Sequence, residues 1–290
     1  MLRQRAIRDG LVAAGLAFLA YLFVVVAPSA GTVGFDALSY WGYSLTDPYF
    51  LQHGTMGSFV YSPVTARLFA PASLLPWLTF LWLWLALLVG TAIWLGGRRW
   101  LWVLAFPPVA VEIYHGNIHL LIAAAIALGF RYPAAWAFVL LTKVTPGVGL
   151  IWFAVRREWR NLAIALGVTA GLVALSLAID FPLWREWLDR ELLFSLRQPP
   201  DQPQIPVPLL VRLPLAALLV AWGARTNRKW TVAASAALAL PVLWFAGLSI
   251  LAAIPALSRP ELQPSVVVRR KPPNVEPIGK PLGAPGEPAG

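Results

Sequence analysis

The 290-residue sequence has no cysteine and only three histidines. The lack of cysteine excludes disulfide bonds, thiolate catalysis and cysteine-ligated zinc sites. The spacing of His115 and His119 would allow chelation of a metal from one helix face, but no flanking carboxylates complete a familiar site. We therefore expect neither a metal nor a cofactor.

Charged side chains are also scarce, at 12% of the sequence against 59% hydrophobic residues. This composition leaves too little polar surface for a soluble globule. Apolar runs near the length of a bilayer crossing recur, and none alternates like a barrel strand, so they predict helices. The expected fold is all-α, a polytopic transmembrane bundle of about 8 to 10 spans including short broken helices. The main runs cover 11–30, 77–95, 161–179, 208–223 and 230–257.

The formal net charge of +10 comes largely from short basic clusters at the ends of apolar runs. Such clusters are typical of cytoplasmic loops and of contact with anionic membrane lipids, so we expect no nucleic-acid partner. They predict a multi-pass plasma-membrane protein with a cytoplasmic N-terminus at 1–10 and a membrane domain at 11–258. The outer loops are then 31–62 and 181–207, the second carrying an interfacial helix. The Pro/Gly-rich tail, 259–290, is expected to be cytoplasmic and disordered.

One apolar segment, 134–155, must be interrupted if the basic residues on both sides of the middle region are cytoplasmic, because the number of crossings must be even. Lys143 and the following Pro146 and Gly147 supply the interruption, since proline lacks a backbone donor. We predict two half-helices that meet near Lys143, where irregular backbone lines a cavity.

Asp36 is the first acidic residue on the predicted outer side, in a loop that also contains Tyr40 and Trp41. A carboxylate at the outer mouth of a helical bundle, beside aromatic rings, suits proton transfer with a sugar hydroxyl. The alternative interpretation is that Asp36 caps a short surface helix.

The order of several short motifs resembles glycosyltransferase family 87 over roughly residues 30 to 160. The motifs are Asp36 with nearby Tyr40, Tyr61-Ser62-Pro63, Phe69-Ala70-Pro71, Leu74-Leu75-Pro76, Gly116-Asn117 and Lys143-Val144-Thr145-Pro146 followed by a basic turn. The resemblance implies a GT-C fold membrane enzyme that transfers a sugar, expected to be mannose, from a polyprenyl phosphate to a lipid-linked or cell-envelope acceptor on the extracytoplasmic side. It implies that Asp36 is the catalytic base.

The chemistry also needs cations for the leaving phosphate and polar or aromatic groups for the sugars. Lys143 and Arg67 are the candidate phosphate ligands, with snorkelling and topological anchoring as their respective alternatives. The candidate sugar or acceptor contacts are Tyr40, Trp41, Asp47, His53, Tyr61, His115 and Asn117. Asp47 precedes a proline, which is more typical of a turn, and His53 is more typical of an ordinary loop residue. The group from Glu112 to His119 is also explained by a tight hairpin.

Two other classes of function fit the same features. A transporter or lipid flippase would also have interrupted helices and an intramembrane lysine, although we see no internal repeat. A non-catalytic membrane subunit related to GT-C enzymes is the other alternative.

Overall fold

The computed structural model describes residues 2–42, 47–52, 55–193 and 207–262. In these ranges the chain is helical and contains no β-strand. The α-helices are α1 (Leu2–Tyr21), α2 (Ala27–Ala30), α3 (Leu38–Trp41), α4 (Pro63–Phe69), α5 (Trp77–Gly96), α6 (Trp100–Leu104), α7 (Pro107–His115), α8 (His119–Gly129), α9 (Trp136–Thr142), α10 (Ile151–Val155), α11 (Trp159–Ile179), α12 (Phe181–Trp187), α13 (Leu209–Arg225), α14 (Trp230–Leu238) and α15 (Ala253–Leu257). Turns of 3₁₀ helix cover Ala70–Leu74, Gly97–Arg99, Pro133–Ala135, Thr145–Leu150, Phe245–Ala252 and Pro260–Leu262, and π-helical turns cover Leu22–Val26 and Leu188–Leu192.

Three helical stretches in these ranges are long and apolar enough to cross a bilayer: Arg3–Ala30, Trp77–Leu104 and Trp159–Ile179. The α7–α8 pair makes a fourth if it is counted as one span, although its two halves meet at 117°. Several shorter apolar helices accompany them. The all-α class predicted from the sequence is therefore confirmed, with three or four candidate membrane spans, whereas the count of 8 to 10 spans stays a prediction.

The predicted break near Lys143 is present. Helix α9 ends at Thr142, Lys143 is extended with φ −138°, and a 3₁₀ turn begins at Thr145 before Pro146. Proline cannot donate a backbone hydrogen bond, so the regular helix ladder cannot run through this point. The break therefore leaves carbonyl groups without helical partners and places a lysine within an apolar region.

A second break separates α14 from the 3₁₀ turn Phe245–Ala252. It is filled by the buried side chain of Arg212 from α13, which is 5% exposed. Its guanidinium donates to the carbonyls of Leu238 at 2.5 Å, Leu240 at 2.8 Å and Pro241 at 3.0 Å. One arginine thus satisfies the backbone acceptors that the broken helix leaves without partners.

Helix α8 lies at the centre of the bundle. It packs against α5, α9, α14, α15 and the 3₁₀ turn Phe245–Ala252. Most of its residues are buried, including Ile122, Ala123 and Ile126. Because α8 is surrounded by protein, its first turn provides a fixed platform for polar side chains.

The predicted interfacial helix corresponds to α12 and the π-helical turn after it, while residues 194–206 lie outside the described residues. Asp180 caps α12 by accepting from the backbone N–H of Leu183 at 3.1 Å. Trp187 donates its indole N–H to the Val60 carbonyl at 3.2 Å, which attaches α12 to the segment that precedes α4. Its position on the outer membrane surface stays a prediction, as do the domain boundaries. Of the tail at 259–290, residues 263–290 lie outside the described ranges.

Candidate active site

The loop between α2 and α3 is attached to the C-terminal end of α7 by three backbone hydrogen bonds. Gly34 N–H donates to the Tyr114 carbonyl at 2.9 Å. Asp36 and Ala37 both donate to the His115 carbonyl, at 2.8 and 3.3 Å. The last carbonyls of a helix have no partner within that helix, so the loop supplies the missing donors. Asp36 is thereby fixed by its own backbone at the break between α7 and α8.

Gly116 makes this close approach possible. It ends α7 in the left-handed region, with φ +70°, and its carbonyl accepts from the Trp84 indole at 2.7 Å. A Cβ added at Gly116 would lie 2.8 Å from the Cβ of Ala37. Glycine alone avoids both the backbone strain and this collision.

We expect Gly116→Ala to reduce both stability and any activity that depends on Asp36. Gly31→Ala is a matched control, because Gly31 has φ +63° and open space around its Cβ position. The control should cost about 1 kcal/mol of backbone strain. Gly116→Ala should cost more, because the loop must also move away from α7. Thermal unfolding of both full-length variants measures the difference, and equal losses would contradict the predicted collision.

The Asp36 carboxylate is partly exposed and accepts one amide hydrogen bond, from Asn117 Nδ2 to Oδ2 at 2.8 Å. Burial raises the pKa of Asp36, while the Asn117 hydrogen bond lowers it. The Glu112 carboxylate adds to the rise, and His115 and His119 oppose it. A carboxyl group made more basic by partial burial is suited to accept a proton from a hydroxyl group.

Asn117 is held in one orientation. Its Oδ1 accepts from the Ile118 backbone at 2.7 Å and from the Tyr40 hydroxyl at 3.3 Å, so its amide nitrogen faces Asp36. The Tyr40 and Tyr61 hydroxyls lie 2.9 Å apart. Burial raises the pKa of both tyrosines, which keeps their hydroxyls protonated. A hydrogen-bonded chain therefore leads from Tyr61 through Tyr40 and Asn117 to Asp36.

The rings of Tyr40 and Tyr61 face protein in this structure. Tyr40 is 0% exposed, and its ring centroid lies 5.0 Å from those of Phe69 and Trp84. The sequence suggested sugar stacking for Tyr40, but the short helix α3 turns this side chain inward. The geometry supports a role in orienting Asn117, and a direct sugar contact by either tyrosine stays a prediction.

On the other side of the same helix break, Glu112 and His119 form a buried pair. Glu112 Oε2 lies 3.0 Å from His119 Nδ1, and Oε1 accepts from the His119 backbone N–H at 2.5 Å and from Leu120 at 3.3 Å. His119 Nε2 lies 3.0 Å from Lys143 Nζ. The two histidine nitrogens thus connect a buried carboxylate to the lysine of the α9 break.

The backbone before Lys143 is held by two hydroxyl groups. Ser62 and Thr65 donate to the Leu141 carbonyl at 2.7 and 2.8 Å. This carbonyl has lost its helical partner because the chain is irregular after Thr142. The Tyr61-Ser62-Pro63 motif and the lysine motif, separate in sequence, therefore support each other in space.

The structure gives local contacts for several of the other predicted site residues. Arg67 contacts Asp180 at 3.4 Å in an exposed ion pair that links α4 to the start of α12. Trp41 donates to the Leu75 carbonyl at 2.7 Å and packs against Trp77.

Three further candidates complete this group. His115 packs near Phe35, with ring centroids 6.3 Å apart, and Asp47 is partly buried. His53 lies outside the described residues. The functional roles of all these residues stay predictions. Among the described residues, no cluster of three or more histidine or acidic side chains could hold a metal ion.

Sequence reasoning left Glu112 and His119 out of the proposed site, although it noted them at the hairpin. Their link to Lys143 spans 24 residues and depends on the packing of α8 against α9. The available signal was an acidic residue and a histidine on either side of a Gly-Asn turn in an otherwise apolar hairpin.

The family model for glycosyltransferase family 87 matches residues 59–258. The chain belongs to glycosyltransferase family 87. This match extends further toward the C-terminus than the motifs recognised in the sequence and begins after Asp36. The GT87 region thus includes Asn117, His119 and Lys143, whereas the assignment of Asp36 depends on its contact with Asn117. Searches of curated proteins and of solved structures gave no match.

Proposed function

We propose that this GT87 protein transfers mannose from a polyprenyl-phosphate donor to a lipid-linked or cell-envelope acceptor on the extracytoplasmic side of the plasma membrane. Family membership establishes a membrane glycosyltransferase. The observation that carries the finer proposal is the α7–α8 break, where Asn117 contacts Asp36 and His119 contacts Lys143. These contacts bring the Asp36 carboxylate and the Lys143 side chain to the two sides of one short turn, which supports their proposed roles as base and cation.

Asp36 acts as the general base in this mechanism. The acceptor hydroxyl oxygen attacks the anomeric carbon of the sugar while the bond from that carbon to the phosphate oxygen breaks. The hydroxyl proton passes to the Asp36 carboxylate, and the phosphate leaves with the bonding electron pair. Because a single displacement inverts the anomeric configuration, one carboxylate is sufficient.

Lys143 stabilises the negative charge that develops on the leaving phosphate. Lys143 is a partly exposed residue directly after α9, and we assign its ammonium group to the phosphate because it lies beside a break in an apolar region. A charge kept in such a place is typical of a substrate pathway. Arg67 is the second proposed phosphate ligand; it would exchange its exposed contact with Asp180 for the donor when the lipid enters.

The remaining proposed contacts and the membrane placement follow from the same orientation. Sugar or acceptor contacts are assigned to the rim of the outer loop, at Trp41, Asp47, His53 and His115, together with Asn117 and the two tyrosines. The N-terminus is cytoplasmic, and the GT-C-like bundle contains about 8 to 10 spans when short half-helices are counted. The absence of a nucleotide-binding motif in the sequence agrees with a lipid-borne donor.

Incubation of radiolabelled polyprenyl-phosphate mannose with membranes that contain or lack the protein tests this function. We expect label to pass to an acceptor in a protein-dependent manner. Movement of the intact donor between leaflets without transfer would indicate a flippase. Neither transfer nor movement would indicate a non-catalytic subunit.

We also expect transfer to fall as pH decreases through the pKa of Asp36, because only the carboxylate form accepts a proton. Since burial raises this pKa, the acidic limb of the rate profile should lie above the ordinary aspartate range. Asn117→Ala removes the hydrogen bond that lowers the pKa, so it should move this limb to still higher pH. The pH dependence of kcat/KM, which reports the pKa of the free enzyme, measures the shift for both proteins, and identical profiles would contradict the assignment of the base.

A further inference from the structure

The buried pair Glu112 and His119 has no role in the steps above, although both side chains are polar and almost fully enclosed by protein. Glu112 is 0% exposed and His119 is 2% exposed. Neither can reach a lipid donor directly, but His119 touches Lys143, which is partly exposed. We propose that Glu112, acting through His119, is a positioning residue that aims the Lys143 ammonium group at the phosphate of the lipid donor. This inference rests on the proposed function.

The proposal assigns one tautomer to His119. With Glu112 as an ionised carboxylate, which only accepts, the proton of the neutral imidazole is on Nδ1, 3.0 Å from Oε2. Nε2 then carries a lone pair and accepts an N–H from Lys143 at 3.0 Å. Because an ammonium group has three N–H donors, two remain for another acceptor.

Glu112 is suited to this role because its own position is fixed. Oε1 accepts the backbone N–H groups of His119 and Leu120 at the start of α8, an 11-residue helix. The partial positive charge at a helix N-terminus stabilises a carboxylate there. The carboxylate therefore cannot swing toward Lys143 without losing its backbone donors.

The Lys143 ammonium group can therefore bind an anionic ligand. Among the described residues, no carboxylate lies within ion-pair distance of its Nζ atom. An ammonium group in a largely apolar region, oriented by a neutral imidazole and still holding spare donors, matches the oxygens of a phosphate monoester or diester. The chemistry of the site thus specifies the phosphate end of the donor, independently of its sugar.

Glu112→Gln tests the proposed relay, the contacts from Glu112 through His119 to Lys143, because glutamine has nearly the same shape as glutamate. The glutamine oxygen can still accept from the start of α8, but its NH₂ group then faces His119 Nδ1. The histidine must shift its proton to Nε2, which places an N–H opposite the Lys143 ammonium group. We expect the lysine to turn away, although the helix cap and the charge of Lys143 are retained.

Binding of farnesyl phosphate to the full-length protein in nanodiscs provides the measurement, with farnesol as the phosphate-free control. Wild type should bind the phosphate and not the alcohol at the same concentration. Lys143→Met and Glu112→Gln should each weaken binding by about 10-fold, as expected for loss of one charge-assisted hydrogen bond. In the Lys143→Met background, Glu112→Gln should cause no further loss, because its effect acts through the lysine. Thermal midpoints verify that each variant is folded.

The proposal is overturned if wild type does not distinguish farnesyl phosphate from farnesol, if Glu112→Gln binds like wild type, or if its loss persists without Lys143. If Glu112→Gln does not fold, His119→Gln replaces it in the same cycle and must give the same non-additive loss. Coupled phosphate binding without sugar transfer would refute the proposed enzyme reaction while retaining this site. Sugar transfer with no Glu112 dependence would refute the relay alone.

Discussion

Asp36→Asn should lower the rate of sugar transfer by at least about 100-fold, the usual lower bound for loss of a general base. The carboxamide oxygen can still accept the hydrogen bond that Asn117 donates to Oδ2 at 2.8 Å. The backbone bond from residue 36 to the His115 carbonyl also remains. The variant therefore retains the geometry of the site and loses only its ability to accept a proton.

Asp189→Asn is the control for this prediction. It makes the same chemical change at an exposed aspartate in the π-helical turn after α12. Initial rates of transfer from labelled donor, normalised to folded protein in the membrane, should match wild type for Asp189→Asn. Near-normal turnover by Asp36→Asn would remove the base from the mechanism, and the phosphate site would then have to be explained without it.

Arg212→Met should destabilise the protein by about 3 kcal/mol or more. The methionine can fill much of the buried volume, but it cannot donate to the carbonyls of Leu238, Leu240 and Pro241. Each buried carbonyl left without a donor costs about 1–3 kcal/mol. The second helix break would then lack the group that satisfies its backbone.

Arg225→Met provides a matched comparison, since it removes an exposed arginine at the end of the same helix α13. Thermal inactivation of the purified full-length proteins should show a large drop in midpoint for Arg212→Met and little change for Arg225→Met. Similar midpoints for the two variants would mean that water or backbone adjustment satisfies the broken helix. Arg212→Lys should fall between them, because one ammonium group cannot span all these carbonyls.

Local sequence signals predicted the helix breaks well because their causes are local. Pro146 has no backbone donor, and Gly116 adopts a positive φ, so each removes regular helix geometry at its own position. The apolar runs similarly predicted helices, since backbone groups in lipid must bond within their own segment. In contrast, Arg212 could have been noticed as a charge inside an apolar run, but its carbonyl partners lie in another helix.

The candidate site also combines features that local sequence predicts with features that depend on tertiary packing. Asp36, Asn117 and Lys143 were selected by residue type and by position after predicted spans, and the structure places the first two in direct contact. The inward orientation of Tyr40 could not be predicted, because it depends on where Phe69 and Trp84 pack. The link from Glu112 to Lys143 depends on the packing of α8 against α9, which no local sequence pattern predicts.

The sequence by itself determined that this is an all-helical membrane protein of the GT87 family with interruptions near Gly116 and Lys143. Those properties follow from composition, backbone chemistry and motif order, all of which are properties of the linear sequence. Only the tertiary structure decided that the two interruptions meet and that one short turn contacts both Asp36 and Lys143. The physical reason is that such contacts are between residues distant in sequence, and they exist only after the helices have packed.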